Sequence, residues 1–190
     1  VYIGKAIYEV RTFHQCLDRR FPENRLLSHD LLEGCFVRVG LATDIELLED
    51  FPARYDGFSL RQHRWIQGDW QAATWLFSPN LGWPEKWQIF DNLRRSLVIP
   101  AGLLMLVWGW FILPIPTLFW TTFTLGIIFF PFLDLFATSL LSRLPGEDWK
   151  SYLPALRNEL KTLLIRALIS ISFMANETLR NLHAIFLALF

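Results

Sequence analysis

Between Ser96 and Leu141 the chain has one acidic residue, Asp134, and no basic one. Two apolar stretches make up most of this span. The first, "SLVIPAGLLMLVWGWFIL", runs from 96 to 113, and the second, "PTLFWTTFTLGIIFFPFLDLFATSLL", from 116 to 141. A helix rises about 1.5 Å per residue, so the first stretch reaches roughly 27 Å, close to the thickness of a bilayer's hydrocarbon layer. Pro114 and Pro116 punctuate the turn between them. Two buried core helices are the alternative, but helices this long and apolar on every face are rare in so small a domain. Residues 97–141 are therefore expected to form a transmembrane helical hairpin.

The flanks orient it. Arg94 and Arg95 precede the first span; Arg143, Lys150, Arg157, Lys161 and Arg166 follow the second, and the turn is uncharged. The excess of positive charge on cytoplasmic flanks then puts both outer ends inside and the turn outside. Upstream, "GWPEKWQIFDNLRRS" spaces Trp83, Trp87, Phe90 and Leu93 as a helix would, with charges between them. Residues 81–96 thus read as an interfacial helix that feeds the membrane. Residues 142–190 read as a cytoplasmic or interfacial segment with a candidate third membrane helix. That helix is interrupted by Arg166, Asn176, Glu177, Arg180 and His183, which leaves both a packed span and an interfacial position open. Asp134 reads either as an intramembrane carboxylate or, more simply, as a partner for a neighbouring helix or interfacial water.

Charge and composition narrow the class. With 18 basic and 18 acidic residues the formal net charge is zero, so no bulk field draws the chain to nucleic acid. Phe (17) and Trp (9) are abundant, as expected where side chains line a bilayer interface or a sugar site. The cysteines, Cys16 and Cys35, form no CxxC pair and read as reduced thiols. Val1 opens in mid-pattern, as expected of a piece of a longer polypeptide.

Residues 1–80 hold the remaining information. "VYIGKAIYEV" reads as a strand or turn, and 11–21 as a short helix stopped by Pro22. In 26–40 a helix is expected, with Ser28 as N-cap, Asp30 in its first turn and an apolar stripe of Leu31, Leu32, Cys35, Phe36 and Val39, ending at Gly40. "TDIELLED" (43–50) alternates like a strand with Ile45 and Leu47 inward, and 58–77 reads as a helix. Mixed helices and short strands predict an α/β domain.

Metal-ligand spacing is poor, and neither a Gly-rich phosphate loop nor a G-x-S-x-G elbow occurs. What remains is Asp30 at a helix start and the cationic, aromatic stretch "LRQHRWIQGDW" (60–70). A carboxylate can deprotonate a sugar hydroxyl, arginine can hold a pyrophosphate through its planar fork, and tryptophan offers a flat face to a pyranose. Taken singly, Asp30 also reads as a helix cap and Arg64 with Trp65 as a membrane-proximal pair. Both segments together, just ahead of membrane spans, favour the sugar-chemistry reading.

At these residues a family resemblance becomes specific. "SHD" followed by "LLEGCFVRVGL", and "RQHRW", resemble two signatures of the processive, inverting β-glycosyltransferases of GT-A fold, such as the cellulose synthases. The second is Q-x-x-R-W in that family, and here Arg61 stands where its glutamine would be, with Gln62 one step later. A closer likeness is carried by "GKAIYEV", "FPENRLLSHDLLEG", "RQHRWIQGDWQ" and "DNLRRSLVIP", which resemble the glycosyltransferase part of the bacterial cyclic β-1,2-glucan synthases over about residues 2–100.

The resemblance implies an α/β fold, the C-terminal half of a GT-A-like catalytic domain over 1–80, followed by α-helical transmembrane segments. It implies a membrane-bound, UDP-glucose-dependent β-glucosyltransferase of the bacterial inner membrane, multi-pass, with its catalytic part cytoplasmic. Asp30 would be the catalytic base. Arg64, with Arg61 or His63, would meet the UDP diphosphate; Trp65 would stack on the acceptor; Gln62 would stand near the substrate; and Asp69 and Gln71 would support the site. Mg2+ or Mn2+ is expected on ligands upstream of Val1, since residues 1–95 contain no D-x-D triplet. The implied partners are UDP-glucose, the growing β-glucan, the bilayer, an upstream transferase half and a downstream phosphorylase-like domain. A transferase for a linear glucan or aminosugar polymer, or a glycan-export module with a relic transferase domain, is the alternative.

Overall fold

In this computed structural model the residues described are 6–22, 25–28, 30–40, 42–45, 50, 52–141 and 149–190. They form α1 (Val10–Leu17), α2 (Asp30–Val37), α3 (Tyr55–Gln71), a 3₁₀ segment (Ala72–Phe77), α4 (Trp83–Phe111), α5 (Thr117–Leu141) and α6 (Trp149–Leu189). Local chemistry accounts for the short elements. Glu9 caps α1, its carboxylate accepting from the N–H groups of Arg11 (3.0 Å) and Thr12 (2.6 Å). Arg20 then closes the helix end by donating from Nε to the Cys16 carbonyl at 2.6 Å. The expected second helix is present but shorter than 26–40. Asp30 is its first residue, and it stops at Arg38, whose φ of 57° turns the chain before Gly40 is reached.

The α/β expectation is overturned: among the described residues there is no strand, and those of 1–80 form helices and loops in place of the α/β half of a GT-A-like domain. Thr43 and Asp44 form a turn and Ile45 is 52 % exposed, not inward, while Leu47 lies outside the described residues. A strand persists only where a neighbour takes up its N–H and C=O groups, and no described segment offers itself as that neighbour. Alternation over so few residues marks a loop as readily as a strand. Of the opening "VYIGKAIYEV", residues 6–9 are irregular and Val10 already starts α1.

The chain divides into two compact units, one drawn from residues up to Val98 together with Leu179–Phe190, the other Ile99–Thr178. In the first, Leu32, Ala72, Leu81 and Ile89 form a core, with Phe21, Leu26, Leu31, Cys35, Phe36 and Trp75 packed on it. The apolar stripe expected on α2 thus faces inward, except Val39, which lies past the helix end and is exposed. Phe36 also carries the Arg20 guanidinium 4.8 Å from its ring centroid. At the start of α4, Ile89 and Leu93 are buried while Trp83, Trp87 and Phe90 stay exposed along one stripe.

The second unit contains the hairpin. A Cβ on Gly109 would come within 2.3 Å of the Trp120 ring, so only glycine lets α4 approach α5 there. About two turns earlier, Gly102 faces the Thr124 methyl at 3.5 Å. Trp110 Nε1 donates to Thr121 Oγ1 at 2.9 Å. Three helices are long and apolar enough to cross a membrane: Trp83–Phe111, Thr117–Thr138 and Tyr152–Leu189.

Candidate functional site

The two segments singled out in the sequence meet. A Cβ on Gly68 of α3 would stand 3.0 Å from the Ser28 Cβ and 3.2 Å from its backbone N, so the loop before α2 lies directly on the helix. The Leu27 N–H donates to Gln71 Oε1 at 2.9 Å, tying the same loop one turn further along. Asp30, half-buried, opens α2 two residues after this contact.

Helical geometry sorts the side chains of α3. At about 100° per residue, Arg64 stands within ~40° of Gly68 and ~20° of Gln71, on the face that carries the Asp30 loop, with Arg61 and Trp65 beside it. The Arg61 guanidinium lies 4.4 Å from the centroid of the Trp65 ring. One face of that indole is thereby covered, and only the opposite face is available to a flat ligand. Arg64 is exposed and has no hydrogen bond or ion pair among the described residues. An arginine held this way keeps its whole fork for an anion.

His63 lies elsewhere. Its Nε2 is 2.8 Å from Nδ1 of His183 on α6, on the face it shares with Ile66 and Trp70. Burial, then His183 and Arg180, disfavour its protonation. Gln62 is half-buried on the side of Asp69. Helical geometry thus puts Arg61 and Arg64 on the Gly68–Gln71 face, with Trp65 at its edge under Arg61, and leaves Gln62 and His63 off it.

The support beneath this face is polar and specific. Asp69 Oδ1 accepts from Asn92 Nδ2 at 2.9 Å, and burial pushes its carboxyl up, with Asn92 and Arg95 pulling the other way. Trp70 Nε1 donates to Ser96 Oγ at 2.9 Å, and Ser96 Oγ donates to the Leu93 carbonyl at 2.7 Å. Gly68 and Gln71 are the residues whose positional role sequence reasoning underrated. The signal was a glycine inside an otherwise well-formed helix, which costs about 1 kcal/mol and so implies close packing. Among the described residues no three His, Cys, Asp or Glu side chains converge as a metal site would need. They do not fit the divalent cation implied by the family resemblance.

No protein-family model matches the chain. Over 148 residues, 76 % of the chain, it is 45 % identical to cyclic beta-(1,2)-glucan synthase NdvB of Rhizobium meliloti (strain 1021). The match spans 5 % of that relative's length.

Proposed function

Because the chain belongs, over its 148 matched residues, with the cyclic β-(1,2)-glucan synthases, we propose that it forms the acceptor and leaving-group side of a membrane-bound, UDP-glucose-dependent β-glucosyltransferase. The observation that carries this reading is the seating of the loop before Asp30 on α3 at Gly68, beside an Arg64 exposed and unpaired among the described residues and a half-covered Trp65.

In the proposed step Asp30 takes the proton from the acceptor glucose's 2-hydroxyl. The oxygen attacks the anomeric carbon of UDP-glucose as the bond from that carbon to the diphosphate oxygen breaks. The electron pair leaves with UDP, and attack from the opposite face inverts an α-linked donor into a β-linked product. Arg64 binds the departing diphosphate by charge-assisted bonds, and Trp65 carries the acceptor ring on its uncovered face. Arg61 stiffens that indole. The nucleotide's base and any Mg2+ or Mn2+ ion are held by parts of the polypeptide other than these residues, including an upstream transferase half. A downstream phosphorylase-like domain acts on the product. The bilayer takes up the apolar helices in the bacterial inner membrane, with the first unit cytoplasmic.

Asp30→Asn tests the reading. Asparagine still caps a helix, so a capping role loses only a few tenths of a kcal/mol, whereas loss of a general base costs about 10²- to 10⁴-fold in rate. Glucose incorporation from UDP-glucose in membranes carrying the intact synthase should fall by that factor at unchanged protein level. Activity within a few-fold of the parent refutes the assignment.

A further inference from the structure

The last turns of α6 grip the side of α3 that faces away from Arg64. His183 meets His63 at 2.8 Å. Asn181, buried, donates from Nδ2 to the Ser96 carbonyl at 2.9 Å and accepts from Arg180 Nη2 at 3.1 Å. Ala184 and Ile185 close around Ile66, with Trp70 packed against them. Arg180 stands 6.0 Å from the Phe58 ring centroid. His63 is flanked in sequence by Gln62 and Arg64, so whatever fixes its ring fixes the azimuth of the substrate face.

We propose that His183 is a positioning residue for glucosyl transfer, holding α3 through His63 so that Arg64 and Trp65 face the Asp30 loop. The inference rests on the transferase reading above and adds a residue about 120 positions away in sequence. It also carries a chemical signature. One imidazole nitrogen must donate and the other accept. A single added proton still leaves one acceptor, but a doubly protonated pair presents two N–H groups to each other. The charged and titratable groups acting on His63 are His183 and Arg180, and both oppose its protonation, as burial does. His183 is exposed, so bulk acid reaches the pair. Acidification below the ordinary histidine range should therefore release the clamp.

His183→Asn and His183→Leu separate this from a merely structural role. Asparagine places an amide near the position of Nδ1, and its oxygen accepts from His63 whether or not His63 is protonated. In membranes carrying the intact synthase, His183→Asn should keep the parental rate at neutral pH and lose less of it in acid. His183→Leu should lower kcat on the order of 10- to 100-fold at neutral pH, as misplacement of a substrate-contacting segment does, with the deficit narrowing in acid, where the parent loses the same bond. A parental kcat, KM and pH profile in His183→Leu overturns the proposal, as does an unaltered acid limb in His183→Asn. A double-mutant cycle on melting temperature with His63→Leu reads the pair without reference to activity. Coupling that fades in acid supports the clamp. Coupling with incorporation indifferent to Asp30→Asn and Arg64→Lys discards the transferase reading, whereas no coupling discards the clamp alone.

Discussion

Asp69 shows how a single buried carboxylate on α3 sets a pH dependence. Burial raises its pKa, and the Asn92 amide and the Arg95 charge only partly offset that. The folded protein therefore holds this proton at pH values where the unfolded chain has lost it. Stability from this residue is largest in acid and declines as pH rises through the window between the ordinary and the raised value. Asp69→Asn keeps an oxygen to accept from Asn92 and removes the charge, so it should raise the apparent melting temperature at pH 7. The gain should shrink as the pH is lowered into the carboxylate range; an equal gain at every pH would show that desolvation of the charge is not its cause. His63 has the opposite sign, since a disfavoured imidazolium loses stability in acid. Sequence reasoning named Asp69 and Gln71 as supporting groups; in the structure Asp69 accepts from Asn92 and Gln71 from the Leu27 N–H. It put His63 with the substrate and missed its contact with His183, because that partner belongs to a distant helix and no periodicity links them.

Among the helices, α3 and α4 both depend on a glycine at a point of close approach. Gly68→Ala would add a methyl 3.0 Å from the Ser28 Cβ, a displacement of a few tenths of an ångström for the loop. The gain in helix propensity, about 0.5–1 kcal/mol, opposes that cost, so Ala should be near neutral in melting temperature. Gly68→Val has no such compensation and pushes the Asp30 loop outward. Its glucose incorporation should drop well below that of Gly68→Ala; parental incorporation by Gly68→Val would mean that this seat does not set the loop. The uncharged runs made α4 and α5 legible from their apolar character alone, and the stripe on α2 was legible from its spacing. Of the strand expected at 43–50, residues 46–49 lie outside the described residues and 43–45 are a turn and its exit, because alternation describes which side chains are apolar and says nothing of whether a neighbouring strand exists to take up the backbone. Residues 81–96 were read as an element separate from the first span, whereas the structure runs them together as one helix, Trp83–Phe111.

For the molecule as a whole, polarity is distributed inside out along its helices. On α5, Thr124 is buried while Leu118, Phe130 and Leu133 are uncovered. A surface of this kind suits lipid and not water. If both flanks are cytoplasmic, as the positive charge around the hairpin predicts, a cysteine at Ile115 in the turn should react with an impermeant maleimide only from the outer side. The native thiols interfere little if Cys16 is first replaced. Burial, with Glu85 nearby, pushes the Cys35 thiol up to about 11, leaving on the order of 10⁻³ of it as thiolate at pH 8. Labelling at Ile115 from the cytoplasmic side alone would invert the topology. The first unit is assembled from two stretches of chain, one ending at Val98 and the other beginning at Leu179. A ribosome therefore delivers α3 long before the segment that braces it, with every residue from Ile99 to Thr178 translated in between. Ile66 and Trp70 of the nascent chain therefore stay uncovered until Ala184 and Ile185 are made, and a chain cut short within α6 should leave that side of α3 unpacked.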